Sequence, residues 1–271
     1  MDVSIVAWVN IGIILATLLV GYLFGSIPTA LIIGKLFFKK DVRNYGSHNM
    51  GATNSGRVFG RKIAVLVTLL DALKLMIPLF GFWAILHFTP IGDPSSGSPI
   101  FTLPYQLSIH STCEALLPQC GWGPTSAVQF YYLAAIGCSI GHCFPIFAGL
   151  KGGKSFACFA AFILCSNWVF SIVSLALYAL ILFPKKYISL ASICVAFIMA
   201  CLSWLTMIPA FGRISTYGVL QMGFEYALTV TIIAIIVIIR HRSNIVRLRN
   251  GTEAKAFQKT KNKTENTKDH S

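Results

Sequence analysis

The chain has 271 residues, of which 55% are hydrophobic and 11% charged, and its formal net charge at pH 7 is +13. A soluble domain is typically about 25% charged, so this composition excludes a protein whose whole surface meets water. No Lys or Arg occurs between Lys74 and Lys151 or between Lys154 and Lys185. The pattern predicts an all-α integral membrane protein whose polar groups gather in a few short clusters.

Six long apolar stretches predict membrane helices, because lipid offers the backbone no hydrogen-bond partners. The stretch Phe156–Phe183 is longer than one span requires, and Ser166-Asn167-Trp168 interrupts it. We therefore expect two shorter segments there, and a polytopic helical bundle of about seven membrane segments, some of them short or broken. In chain order the stretches are Val3–Phe24, Ile63–Phe88, Ala127–Leu150, Phe156–Phe183, Tyr187–Ile208 and Tyr217–Ile239.

Orientation follows from the excess of Lys and Arg in cytoplasmic loops. The segment Lys35–Lys62 is rich in basic residues, whereas Phe88–Ser126 contains none. We therefore expect the N-terminus and Phe88–Ser126 outside, and the basic C-terminus in the cytoplasm. With seven segments, every large basic cluster falls on the cytoplasmic side. Residues 1–250 are expected to form one membrane-embedded domain, and residues 251–271 a basic, disordered tail.

The eight cysteines show no spacing typical of a metal site, and no cluster in the sequence requires a metal. Cys113 and Cys120 share the external connection. They are equally compatible with a disulfide and with two free thiols, because the redox state outside decides between them.

The first polar cluster is Gly46–Arg57, which reads GSHNMGATNSGR. Exposed backbone N–H groups and flanking arginines suit a phosphate dianion. A polar loop whose basic residues face lipid headgroups is the alternative, and we prefer it for Lys39, Lys40, Arg61 and Lys62. The candidates for a functional role are Arg43, Ser47, Asn49, Thr53, Asn54 and Arg57.

The second cluster combines His142 with Lys151, Gly152, Gly153 and Lys154. Paired glycines admit close approach of a ligand, and the helix that follows directs its N-terminus to the same place. The segment does not match a nucleotide-binding P-loop, because Ala148 stands where the first glycine of that motif is needed and a membrane span, not a strand, precedes it. The pattern favours an anion-binding loop over a nucleotide-triphosphatase. His142 is equally compatible with a ligand contact and with a satisfied interfacial histidine.

The third cluster follows the last span. His241 and Asn244 are three residues apart, so on a continued helix they share a face. Glu253 is expected to pair with a basic residue and hold the tail in place. Within the second span, Asp71 and Lys74 are also three apart. Ionisable residues inside a membrane are functional by default, but a mutual structural ion pair accounts for these two equally well.

With these clusters in order, the chain resembles the acyl-phosphate-dependent glycerol-3-phosphate acyltransferases of bacteria, the PlsY type. The resemblance runs from residue 25 to residue 253. It includes GS-N-GATN---R at Gly46–Arg57, D--K at residues 71–74, GH--P followed by KGGK, and HR-NI----GTE at the end. The chain departs from the family pattern at four positions. His48 and Ser155 replace glycines, Leu75 replaces a glycine, and Cys158 replaces a threonine.

The resemblance implies transfer of a fatty acyl group from acyl phosphate to the 1-hydroxyl of sn-glycerol 3-phosphate, an early step of phospholipid synthesis at the plasma membrane. It implies a cytoplasm-facing active site without cofactor or metal. The partners expected are glycerol 3-phosphate, a long-chain acyl phosphate and membrane lipids, with no nucleic acid.

The motifs suggest roles for individual residues. The KGGK segment at 151–154 would bind phosphate, and Arg57 and Ser47 would contact a phosphate or the reacting carbonyl. Asn54 would hold the loop, while His241 and Asn244 would orient the attacking hydroxyl. The proton acceptor stays open between His241 and a substrate phosphate oxygen. A covalent role for Ser47 is a weaker alternative.

Two other classes are compatible with parts of the pattern. A transporter of an organic phosphate or other anion would also use broken helices and basic clusters, but a carrier needs a site reachable from both sides. Here the polar groups are expected at one face. A catalytically inactive relative is the other alternative. No H-x4-D motif occurs, which argues against acyltransferases that use a His base with acyl-CoA or an acyl-carrier protein.

Overall fold

The computed structural model of the chain describes residues 3–88, 130–207 and 223–256. Every regular element in these ranges is helical, as the composition predicted. Short 3-10 turns lie at Val42–Asn44, Ile146–Ala148 and Leu205–Met207. The α-helices are α1 (Val3–Gly25), α2 (Thr29–Phe38), α3 (Ala52–Phe59), α4 (Arg61–Phe88), α5 (Tyr131–Cys143), α6 (Phe156–Ser166), α7 (Trp168–Lys185), α8 (Ile188–Trp204), α9 (Phe224–Arg240) and α10 (Arg242–Arg249).

Within the described ranges, five helical stretches are long and apolar enough to cross a membrane. A sixth is added if α9 and α10, which bend by 55° at their junction, count as one span. The stretches are Ile11–Phe38, Arg61–Ile85, Tyr131–Ala148, Trp168–Lys185 and Ile188–Met207. Seven membrane segments and the direction in which each crosses stay predictions.

The interruption predicted within Phe156–Phe183 is present at Asn167. Its backbone is extended, with φ −154° and ψ 129°, so α6 ends and α7 begins there. The Asn167 side-chain oxygen accepts hydrogen bonds from the N–H groups of Val169 and Phe170, which caps α7. The buried Ser166 and Tyr226 hydroxyls hydrogen-bond at 2.9 Å. Polar groups at the break therefore form hydrogen bonds within the protein, as a low-dielectric environment requires.

Helices α1 and α5 approach each other along a seam of glycines that the sequence analysis did not identify. Gly21 and Gly25 lie on one helix, and Gly137 and Gly141 on the other. A Cβ atom at any of them would lie 2.1–2.2 Å from a carbonyl oxygen of the facing helix. Small residues four apart allow this close packing in membrane helices. The seam fixes the end of α5, where His142 lies.

The buried core lies between α4, α5, α6, α8 and α9. Aromatic rings of Tyr132, Phe162 and Tyr226 pack against one another there, with centroids 5.5–6.1 Å apart. In contrast, only 11% of Trp168–Lys185 is buried. Helix α7 therefore leaves one apolar face open to the surroundings, including Trp168, Ile172, Leu175, Leu180 and Phe183, as expected of a helix in contact with lipid.

Two expectations about helix continuity differ from the observed helices. Within the predicted span Ala127–Leu150, helix α5 ends at Cys143 and is followed by Pro145 and a 3-10 turn, while the membrane-length stretch runs to Ala148. The continued helix on which His241 and Asn244 would share a face is interrupted, because α9 ends at Arg240 and α10 begins at Arg242 after a bend of 55°. The described residues do not include Cys113 and Cys120, so the prediction about a disulfide between them is not tested. They also leave out most of the external connection and the tail beyond Ala256.

Candidate active site

A cavity of about 340 Å³ lies between α3, α4, α6, α7, α8 and the junction of α9 with α10. The part lined by residues 47–57, α4 and the α9–α10 junction is the polar end, and the part lined mainly by apolar residues of α6, α7 and α8 is the apolar arm. The polar wall contains Ser47, Asn49, Thr53, Asn54, Arg57, Asp71, His142, Lys154, Ser155, His241, Asn244 and Glu253. The apolar wall contains Phe156, Phe159, Ala160, Ile163, Leu164, Leu175, Tyr178 and Val195. This shape fits a ligand with an anionic head and a long apolar tail.

The carboxylates around the polar end are already paired with cations. Asp41 binds Arg43 at 2.7 Å, Asp71 binds Lys74 at 2.8 Å, and Glu253 binds Arg247 at 2.7 Å. In the part of the chain that the structure describes, no carboxylate lies within 4 Å of Arg57 or Lys154. These two cations therefore lie at the polar end without a directly bound carboxylate among the described residues.

Lys154 has an unusual electrostatic environment. Burial lowers the pKa of its ammonium group to about 8, and positive charges on Arg247, Arg57 and Arg240 act in the same direction. The carboxylate of Glu253 opposes them. Lys154 is thus largely charged at neutral pH, but its charged form is poorly stabilised by the protein. An anionic ligand bound beside it would therefore stabilise that charged form strongly.

Asn244 links Lys154 to Glu253. Its side-chain oxygen accepts a hydrogen bond from Lys154, and its side-chain N–H donates to Glu253 at 2.7 Å. Glu253 also accepts from Ser189 at 2.9 Å and from Arg247 at 2.7 Å. These bonds fix the orientation of the Asn244 amide, so its oxygen faces Lys154.

His241 lies at the bend between α9 and α10. Its Nδ1 atom is 2.8 Å from the carbonyl oxygen of Val237. Because a carbonyl only accepts, Nδ1 carries the proton, and in the neutral ring Nε2 holds the free lone pair. His241 and Asn244 still border one cavity, although a bend rather than a continuous helix brings them there.

Asn54 holds the loop at residues 42–54. Its side-chain N–H groups donate to the carbonyl oxygens of Val42 and Tyr45, and its oxygen accepts from the N–H of Ser47. Both ends of the amide are therefore engaged within the protein. The loop-holding role accounts for Asn54 better than direct substrate contact. Ser47 is placed at the cavity as a result.

Asp71 and Lys74 form a buried pair, with side chains 1% and 6% exposed. Asp71 also accepts from Thr29 at 2.7 Å, and Lys74 donates to the carbonyl oxygen of Ile27 at 3.1 Å. His142 Nδ1 lies 3.6 Å from Asp71. Of the two interpretations left open by the sequence, this geometry supports the structural ion pair.

Four residues predicted to bind substrate lie off the cavity wall. Lys151 is exposed, and Arg43 is engaged with Asp41 and with the carbonyl oxygen of Ala148. Gly152 and Gly153 give their carbonyl oxygens to Arg240. A Cβ atom on Gly153 would lie 2.1 Å from His142 Nε2. The glycine pair is needed for packing against His142, and the cavity geometry gives no support to a phosphate contact by these four residues.

Sequence reasoning missed several polar residues of the cavity wall, among them Ser174, Ser189 and Ser192. Each is a single small residue inside an apolar helix. Only the three-residue spacing of Ser189 and Ser192 hints that they share a face.

Fold and cavity together define a polytopic helical membrane protein whose cavity combines cationic side chains with an apolar wall. The family model described as glycerol-3-phosphate acyltransferase matches residues 15–251. The chain belongs to the glycerol-3-phosphate acyltransferase family, which confirms the resemblance seen in its motifs.

Individual relatives agree with this assignment. The glycerol-3-phosphate acyltransferase of Enterococcus faecalis is 35% identical over 244 residues, covering 89% of this chain and 91% of the relative. That of Listeria monocytogenes serotype 4a is 35% identical over 247 residues, covering 91% and 98%. Among solved structures, the glycerol 3-phosphate form of PlsY (YgiH), an integral membrane glycerol 3-phosphate acyltransferase, is similar with a TM-score of 0.62 and 27% identity, covering 89% of this chain and 94% of that one. The integral membrane fold is thereby confirmed.

Proposed function

We propose that this glycerol-3-phosphate acyltransferase of phospholipid synthesis takes its acyl group from acyl phosphate and transfers it to the 1-hydroxyl of sn-glycerol 3-phosphate. The products are lysophosphatidic acid and inorganic phosphate. One observation carries the proposal. Arg57 and Lys154, two cations that no carboxylate of the described residues binds directly, lie at the polar end of a cavity that continues into an apolar arm. Both substrates carry phosphate, and the donor also carries a fatty chain.

Lys154 binds the phosphate of glycerol 3-phosphate, whose oxygen replaces the Asn244 side-chain oxygen as its partner. Arg57 and Ser47 bind the second phosphate or the reacting carbonyl. An oxygen-rich dianion receives charge-assisted hydrogen bonds from both cations. Asn49 and Thr53 border the same end of the cavity and are available for further hydrogen bonds.

The 1-hydroxyl oxygen attacks the carbonyl carbon of the donor, and the bond from that carbon to the phosphate oxygen breaks. Inorganic phosphate leaves with the electron pair. The hydroxyl proton passes either to His241 Nε2 or to a phosphate oxygen of a substrate. Because the donor is a mixed anhydride with a good leaving group, positioning and charge stabilisation supply much of the acceleration.

The active site faces the cytoplasm, and the protein is a multi-pass protein of the plasma membrane. The basic clusters support this orientation, since Lys and Arg accumulate on the cytoplasmic side of membrane proteins. Arg240 contacts Gly152 and Gly153, so the segments that carry Lys154 and Arg240 lie at the same end of the bundle. This placement is consistent with one basic face.

The test uses detergent-purified protein with glycerol 3-phosphate and either palmitoyl phosphate or palmitoyl-CoA. We expect inorganic phosphate and lysophosphatidic acid in equal amounts from the acyl phosphate, and no product from the thioester. Equal rates with both donors would contradict the donor assignment. If folded protein gave no product with either, uptake of glycerol 3-phosphate into vesicles would test the transporter alternative.

Ser47→Ala separates the roles of the first loop. We expect a fall in kcat/KM of about tenfold, because one hydrogen bond to a charged group is lost. Retention of full activity would exclude both the binding role and the covalent role of Ser47.

A further inference from the structure

Ser155 has a backbone conformation that L-residues rarely adopt. Its φ is +61°, in the left-handed region. His48 shares this feature, with φ +56°. At both positions this chain carries a side chain where the family pattern has glycine. A side chain in this region costs roughly 1–2 kcal/mol, so glycine would be the more stable choice at either place.

The Ser155 side chain has no hydrogen-bond partner among the described residues. It is fully buried, and its residue borders the cavity. Serine at the start of a helix usually caps an N–H group of the first turn, but Ser155 makes no such bond to α6. The Cys143 thiol lies beside the hydroxyl without meeting hydrogen-bond geometry. An unsatisfied buried hydroxyl costs about 1–3 kcal/mol, which a ligand in the cavity would remove.

His48 provides the contrast. Its ring is exposed and lies off the cavity wall, and its Nδ1 is 2.9 Å from the carbonyl oxygen of Arg43. The side chain at that left-handed position is therefore explained by a contact within the loop. The side chain at Ser155 makes no hydrogen bond within the described protein, and the Cys143 thiol is the polar group that lies near it.

Ser155 stands in the chain between a residue of the polar wall and a residue of the apolar wall. It follows Lys154 of the cationic end, and it precedes Phe156, where the α6 wall of the apolar arm begins. In a fatty acyl phosphate, the group between the tail and the anionic head is the acyl phosphate itself. The positive end of the α6 dipole favours negative charge at the same point. Glycerol 3-phosphate has no apolar tail, so its binding does not require contact with both the polar and the apolar wall.

We propose that the Ser155 hydroxyl donates a hydrogen bond to an oxygen of the donor's acyl phosphate group. Ser155 is then a donor-binding residue that this chain has in place of the glycine of the family pattern. The inference rests on the proposed function, because it requires acyl phosphate to be the donor.

Ser155→Gly and Ser155→Ala test the inference, with kinetics measured separately for palmitoyl phosphate and glycerol 3-phosphate. We expect both variants to raise the KM for palmitoyl phosphate about tenfold, as loss of a hydrogen bond to a charged group predicts. The KM for glycerol 3-phosphate should change less than twofold. The Gly variant should also unfold at a higher temperature than the wild type, because backbone strain is relieved. His48→Gly is the matched control, and it should relieve strain without changing either KM.

The outcomes distinguish the inference from the function on which it rests. If wild-type protein is inactive with palmitoyl phosphate, the proposed donor is wrong, and the role of Ser155 falls with it. If wild-type protein is active and Ser155→Gly keeps the donor KM, or raises the KM for glycerol 3-phosphate instead, the proposed function stands and the inference about Ser155 is overturned. Inhibition by a non-transferable palmitoyl phosphonate gives a second readout, and its Ki should rise together with the donor KM.

Discussion

Two clusters of charged residues border the same cavity, and they differ in how their charges are satisfied. In the first, Asp71 and Lys74 lie 2.8 Å apart, both are buried, and Thr29 and the Ile27 carbonyl take up further hydrogen bonds. In the second, Lys154 has a neutral amide as its partner, and Arg57 is exposed with no carboxylate nearby among the described residues. A charge with an internal counter-ion stabilises the scaffold, whereas a charge without one is available to a ligand.

The comparison matters because the sequence presents both clusters in the same way. Each consists of ionisable residues close to an apolar span. Such residues destabilise the protein unless they form an ion pair or bind a ligand. Pairing depends on which side chains the helices bring together. The Asp71 pair lies between α4 and the start of α2, while Lys154 stands opposite α10.

The largest effect should come from breaking the scaffold cluster. Asp71→Ala leaves Lys74 buried without a counter-ion, which typically costs about 3–5 kcal/mol. We expect a much lower yield of folded protein and a lower midpoint of thermal unfolding in detergent. The double variant Asp71→Leu with Lys74→Met removes both charges and should recover most of the stability. If Asp71→Ala stayed fully stable but lost ligand binding, Asp71 would instead belong to the residues that bind the ligand.

Arg57→Ala should lower activity without lowering stability, the opposite of Asp71→Ala. Losing a charge-assisted contact to phosphate costs about 1.5–3 kcal/mol, so kcat/KM should fall roughly 10- to 150-fold while the unfolding midpoint stays the same. Arg43→Ala is the matched control. Because Arg43 is bound to Asp41 and the Ala148 carbonyl, it should lower stability more than it changes KM. Equal kinetic losses in both variants would remove the distinction between paired and unpaired arginines.

Part of this arrangement was predictable from the sequence, for identifiable reasons. The membrane helices follow from the length of apolar runs, and the break at Asn167 follows from a polar interruption in a run too long for one span. Most members of the three motif clusters do meet at one cavity. The sequence did not separate Lys154 from Lys151, because residues three apart in a loop have no fixed common direction. It also missed the glycine seam between α1 and α5, since its members are far apart in the chain.

Lys154 provides a test that depends on pH. Because burial lowers the pKa of its ammonium group to about 8, the charged form predominates below that pH and is lost above it. The phosphate of glycerol 3-phosphate has its second pKa near 6, so its own charge is constant in this range. We expect kcat/KM for glycerol 3-phosphate to fall about tenfold per pH unit above pH 8. In Lys154→Arg, whose guanidinium stays charged, this decline should disappear even if the overall rate is lower. An identical decline in both proteins would assign the titration to another group.

The smallest effect is expected at Lys151, and it tests the comparison most directly. The KGGK motif predicts phosphate binding by both lysines, but Lys151 is exposed and off the cavity wall, while Lys154 is half-buried at the cavity. Exposed charges interact weakly through water and salt. Lys151→Ala should therefore change the KM for glycerol 3-phosphate less than twofold, whereas Lys154→Ala should raise it at least tenfold and leave the donor KM nearly constant. A large rise for Lys151→Ala would mean that the loop rearranges around the ligand. The motif, rather than the geometry of the cavity, would then identify the phosphate-binding residues.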